Sequence, residues 1–131
     1  MHFFQIDNSC FARRIMLYYE LLLIYCLLEA DTDMKVEMHT HTSETSPCAH
    51  ICAQDVIKMY KEAGYDTVVI TDHYSKWVFE KNGAKTPDEV TSHFLKGYKT
   101  ALGCAETYDI NVLLGCEVTL TESPNDYLLY G

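Results

Sequence analysis

The chain has 131 residues, 48% hydrophobic and 22% charged, with 19 acidic against 10 basic side chains and a formal charge of -9. That size fits one compact domain and excludes a second core of ordinary size. The acidic balance removes the attraction behind most non-specific nucleic-acid affinity, so a nucleic-acid partner is disfavoured. The six cysteines, Cys10, Cys26, Cys48, Cys52, Cys104 and Cys116, are scattered, and three of them lie in or beside apolar or helical stretches. This pattern reads as free thiols in a reducing cytosol rather than as a disulfide framework.

Residues 15–28, IMLYYELLLIYCLL, are apolar except for Glu20 and follow Arg13 and Arg14. The run is shorter than the roughly 20 residues of a spanning helix and carries a carboxylate that is costly inside a bilayer. A buried or partner-seeking apolar helix ending near Glu29 is expected. The alternative is a secreted or anchored chain, although LLEADTD offers no clear cleavage site. Residues 1–33 therefore read as an atypical apolar extension, and Met34, which opens MKVEMHTHT, as a plausible native start of the domain spanning 34–131.

From Met34 onward the periodicity predicts a strand over Lys35–His39, with His39 and His41 on one face and Met38 and Thr40 on the other. Such a pair can share a metal ion. AQDVIKMYKEAG carries a helical stripe at Val56, Ile57, Tyr60 and Ala63, closed by Gly64. Thr67–Thr71, TVVIT, reads as a strand covered on both sides and leads into Asp72 and His73. After a loop around Gly83, Thr86-Pro87-Asp88-Glu89 carries a capping box and an N1 proline. The apolar face of that helix runs through Val90, Phe94, Leu95, Ala101, Leu102 and Ala105. A third strand, Ile110–Leu114, runs into Gly115-Cys116-Glu117, and Val118–Leu120 and YLLYG suggest a terminal hairpin or strand pair.

Strand, ligand and helix thus alternate about three times, which implies a parallel sheet with ligands gathered at the carboxyl ends of its strands. The separations are 34 residues from His39 to His73 and 44 from His73 to Glu117, the length of one strand-helix unit with its loops. A closed eight-unit barrel takes about 250 residues, so the fold class is α/β with a partial (β/α) barrel.

His39-Thr40-His41-Thr42, Thr71-Asp72-His73 and Gly115-Cys116-Glu117, in that order, resemble the first three motifs of the PHP (polymerase and histidinol phosphatase) superfamily. The resemblance covers about Met34 to Gly131. It implies a distorted (β/α)7 barrel holding up to three divalent ions, zinc, manganese or iron, and hydrolysing phosphoesters of small phosphorylated substrates with metal-activated water. No side-chain nucleophile is required. By the same resemblance His39, His41, His73 and Glu117 are metal ligands, Glu117 bridging two ions, and His50 is the candidate for a further histidine. Asp72 is expected to orient a neighbouring histidine, and Tyr74 and Lys76 to reach an anionic substrate. The family's later histidines and its Asp-x-His pair have no counterpart, so the competing expectation is a truncated, inactive remnant acting only as a metal-binding or structural module.

Other readings are weighed on the residues themselves. Cys48, His50 and Cys52 could form a small zinc site, but CAHIC lacks a second half at zinc-finger spacing. Cys116 has no basic neighbour to activate it and reads as a packed residue. His93 reads as a surface residue of its helix, and exposed apolar surface would permit self-association.

Overall fold

The computed structural model describes residues 19, 33–120 and 125–131. The chain divides into two compact units, Met1–Asp33 and Met34–Gly131, and the strands and helices that carry the site belong to the second. The apolar run at 15–28 lies outside the described residues apart from Tyr19, as do Cys10 and Cys26. Among the described residues no helix is long and apolar enough to cross a membrane. Cys48, Cys52, Cys104 and Cys116 are free thiols.

The second unit runs β1 (Val36–Thr40), α1 (Ala53–Glu62), β2 (Thr67–Ile70), β3 (His73–Tyr74), α2 (Lys76–Lys81), α3 (Pro87–Tyr108), β4 (Asn111–Thr119) and β5 (Asp126–Tyr130). β1 pairs parallel with β2, and β2 parallel with β4, as the alternation of strand and helix requires. β5 returns antiparallel along the second half of β4. The result is a mixed α/β fold compatible with a partial (β/α) barrel.

In-register neighbours across a ladder share a face of the sheet. Val68, Ile70 and Val112 point to the helix side, where they form the core with Ala53 and Ile57 of α1, Ala101 of α3, and Ile110. All four residues of β2 are buried, which is why its sequence is β-branched throughout. The capping box that opens α3 forms as predicted: Thr86 Oγ1 accepts from the Glu89 N–H, and Glu89 Oε2 accepts from the Thr86 N–H.

Four departures from the sequence expectation bear on the site. β4 does not stop at Leu114 but continues through Glu117 to Thr119, so Glu117 lies within a strand rather than beyond one. The extended half of β4 gives the short β3 a partner, and β3 keeps the 44-residue offset of the β2 ladder: Thr67 faces Asn111, and His73 faces Glu117. β3 is therefore β2 resumed after a break at Thr71 and Asp72. The segment expected as a loop contains α2, whose Ser75 side chain caps the Val78 N–H. His93 is half-buried against the loop after β1, its Nε2 3.3 Å from the Thr45 carbonyl oxygen, rather than a free surface residue.

Candidate metal centre

The first two candidate ligands, His39 and His41, owe their placement to an irregularity in β1. Glu37 pairs with Val68 but Thr40 pairs with Ile70, so three steps of β1 span two of β2. The extra residue is a bulge, which reverses facing beyond it. Glu37 and Thr40 both lie on the helix side with Val68 and Ile70, and His39 and His41 turn to the opposite face. The bulge frees the His39 N–H from the ladder, and Glu37 Oε1 accepts it at 2.9 Å.

On that opposite face Leu113, Gly115 and Glu117 alternate along β4. The strand end of β2 and the ladder of β3 bring His73 beside them, and Thr71 clasps β1 to β2. Its N–H donates to the Thr40 carbonyl at 2.8 Å, and its Oγ1 accepts from the Thr40 N–H at 2.9 Å. Gly115 is needed at the crossing. A Cβ there would stand 2.9 Å from both the Leu129 carbonyl oxygen and Thr71 Cγ2, too close for any larger residue without displacing β5.

Three imidazoles consequently meet one carboxylate oxygen. Glu117 Oε2 lies 2.9 Å from His41 Nε2, 3.2 Å from His73 Nδ1 and 3.4 Å from His39 Nε2. The Nε2 atoms of His39 and His41 are 3.2 Å apart. Despite these contacts Glu117 Oε2 is buried and none of them has hydrogen-bond geometry. Ligand atoms about 2.0–2.2 Å from one zinc ion stand roughly 3.3–3.6 Å apart at the tetrahedral angle. Of the observed separations only the 3.4 Å one reaches that range and the others are shorter; the donor set, three imidazoles around a buried carboxylate oxygen that has no hydrogen bond, is what fits a divalent ion. His39, His41 and Glu117 form one group able to hold a metal ion, and His41, Cys48 and His73 another.

Asp72 stands behind this cluster and is 1% exposed. Its Oδ1 accepts from the Thr42 N–H at 2.7 Å and from Ser46 Oγ at 2.6 Å, and its Oδ2 accepts from Thr42 Oγ1 at 2.7 Å. Ser46 Oγ in turn accepts from the His73 N–H at 3.0 Å. The carboxylate thus acts through the 42–46 loop, adjoining His41 on one side and His73 on the other, rather than through an imidazole hydrogen bond. Burial pushes its pKa up, against the pull of the Ser46 and Thr42 donors. Gly97 of α3 packs directly on this hub, and its N–H donates to Thr45 Oγ1 at 3.1 Å.

Burial also holds the His41 imidazole below its ordinary 6.5, and His73 pushes the same way. His50 is exposed and lines a cleft of about 450 Å³ with His39, His41 and Cys48, but it joins neither ligand group. Tyr74 is 42% exposed and stacks edge-on against Phe79 and Phe94, while Lys76 pairs with Glu80 at 3.6 Å. The separate zinc site weighed for Cys48, His50 and Cys52 does not gather: Cys52 donates to Asp55 at 3.2 Å, whereas Cys48 turns to His41. The sequence reading weighed Cys48 only with His50 and Cys52, and not beside His41 and His73, where the structure brings it.

A family model described as PHP domain matches residues 37–130, which run from the second residue of β1 to the end of β5 and contain every residue of the cluster. The chain belongs to the PHP domain family. That family is one of metal-dependent phosphoesterases, and the His, Cys and Glu groups found here could bind metal. Among curated proteins, none matches the chain closely enough to be counted a relative.

Proposed function

We propose that this domain hydrolyses phosphoesters of small phosphorylated substrates, histidinol phosphate among the candidates, in a metal-dependent reaction. The observation that carries the reading is the convergence of His39, His41 and His73 on the buried, unbonded Oε2 of Glu117. These four residues hold the ions, with zinc, manganese and iron as the metals that imidazole and carboxylate accept. A bound divalent ion supplies an activated water and positive charge against the phosphoryl oxygens. The protein sets Glu117 beside the imidazoles, fixes His41 and His73 through the Asp72 hub, and opens the cleft beside His39 and His41 to substrate. Tyr74 and Lys76, which follow His73, are the contacts for an anionic substrate, and the free thiols among the described residues support a cytoplasmic location.

A second reading, a metal-binding module without turnover, is favoured by the exposure of His39, whose side chain is 46% accessible. An ion held there is open to bulk water, which weakens its electrostatic hold on a substrate. Elemental analysis of the purified chain, followed by p-nitrophenyl phosphate and histidinol phosphate hydrolysis with and without added manganese, separates the two. Bound metal with metal-dependent phosphate release, abolished by Glu117→Ala, supports hydrolysis. Bound metal without turnover supports the module, and absence of bound metal overturns both.

A further inference from the structure

Cys48 lies on the loop between β1 and α1, with its Sγ 3.1 Å from His41 Nδ1. It shares with His41 and His73 a set of ligand atoms all within 4.8 Å of one another. His41 Nε2 meanwhile faces His39 and Glu117. A neutral imidazole has one nitrogen lone pair to give and one N–H to donate. With Nε2 on the His39 and Glu117 side, Nδ1 is the nitrogen that meets Cys48. Cys48 Sγ therefore stands as a soft donor beside the imidazoles of His41 and His73, at the spacing of ligands around one ion.

We propose that Cys48 is itself a metal ligand, forming with His73 a sulfur-containing position beside the one made by His39, His41 and Glu117. The inference rests on the metal-dependent reading above and deepens it by assigning a soft ligand where the family resemblance had offered His50. Glu117 supplies the independent support. Its buried Oε2 has no hydrogen bond yet lies 3.2 Å from His73 Nδ1, so it faces this position as well as the first. Loading the position releases the thiol proton to solvent, since a coordinating thiol is deprotonated outright by the bound cation. A thiolate and imidazole pair selects zinc or cobalt over manganese, whereas the His39, His41 and Glu117 position has no such preference for soft metals. The two positions therefore differ in the metals they take.

The test is cobalt(II) titration of the full chain followed by absorption spectroscopy. The expected result is a near-ultraviolet sulfur-to-cobalt charge-transfer band in addition to visible d–d bands. Cys48→Ser keeps the d–d bands from the first position and loses the charge-transfer band, with zinc affinity at the second position falling at least about tenfold. Cys52→Ser, on the same loop, and His50→Ala leave the band unchanged. Cys48 is exposed, so its replacement by serine spares the core, and near-ultraviolet circular dichroism confirms a folded variant. A wild-type spectrum with d–d bands but no sulfur band overturns the Cys48 assignment and leaves the metal-dependent function standing. A band that survives Cys48→Ser does the same. A chain that binds no cobalt overturns the functional reading and this assignment together.

Discussion

Gly97→Ala and Gly103→Ala place the same methyl group on the same helix, six residues apart, and the structure predicts opposite outcomes. A Cβ at Gly97 would sit 2.5 Å from Asp72 Oδ2 and closer still to Thr42 Oγ1. Neither atom can retreat, because Thr42 and Asp72 are 0% and 1% exposed and are held together by the 2.7 Å bond between those same two atoms. Forcing a methyl into a packed site costs about 1–3 kcal/mol, and leaving a buried group short of a partner costs about 1–3 kcal/mol more. The combined loss of roughly 2–6 kcal/mol is a large share of the 5–15 kcal/mol, approximately, that holds a domain folded. At about 4–8 °C per kcal/mol for a domain of this size, Tm should drop by about 10 °C or more. At Gly103 nothing lies within 4 Å of an added Cβ, so the gain in helix propensity, about 1 kcal/mol, is all that remains and Tm should rise. Thermal unfolding followed by circular dichroism on both variants, metal-free, gives the comparison. A Gly97→Ala protein within about 2 °C of wild type, on the same scale, would refute the claim that α3 seats against the Asp72 hub.

Glu117→Ala should lower bound metal more than His39→Ala, because Glu117 touches all three histidines whereas His39 is the most exposed of them; elemental analysis after gel filtration reads the difference. His50→Ala should leave metal content unchanged, and a loss comparable to that of His41→Ala would restore His50 as a ligand. The pH dependence follows from His41, whose folded pKa is depressed below 6.5 by burial and by His73. Such a group takes up protons on unfolding, so its contribution is present in full above about pH 6.5 and is lost as pH falls towards the depressed value. The urea midpoint of metal-free protein should fall across that window, and His41→Asn should flatten the decline.

The three motifs were legible because each lies at a place where chain direction and chemistry coincide. The 44 residues between His73 and Glu117 turn out to be the register of a ladder, so a sequence distance became a contact. The strand core and the capping box of α3 were legible for local reasons, β-branching and a four-residue hydrogen-bond pattern. The bulge in β1 was not, because an extra residue is defined by the partner strand and leaves no mark in VEMHT itself. β3 escaped for a related reason: two residues make a strand only when β4 extends far enough to pair with them. Cys48 and Ser46 were hidden in a loop whose path is set by Asp72, some 26 residues on from Ser46.

On the proposed reading, the two buried carboxylates of the site divide into one that binds and one that builds. Asp72 and Glu117 are 1% and 9% exposed, and both carry the desolvation cost of burial. Asp72 offsets it with three donors from the 42–46 loop, which leaves it little capacity for an ion and makes it a structural anchor. Glu117 Oε2 has three imidazole nitrogens around it and a hydrogen bond from none. A carboxylate oxygen buried in that way stays costly unless positive charge compensates it. Its neighbours are the groups that recruit such a charge from solution. Exchanging the two environments should exchange the roles: removing Ser46 and Thr42 as donors weakens the fold, and adding a hydrogen-bond donor beside Glu117 weakens metal binding.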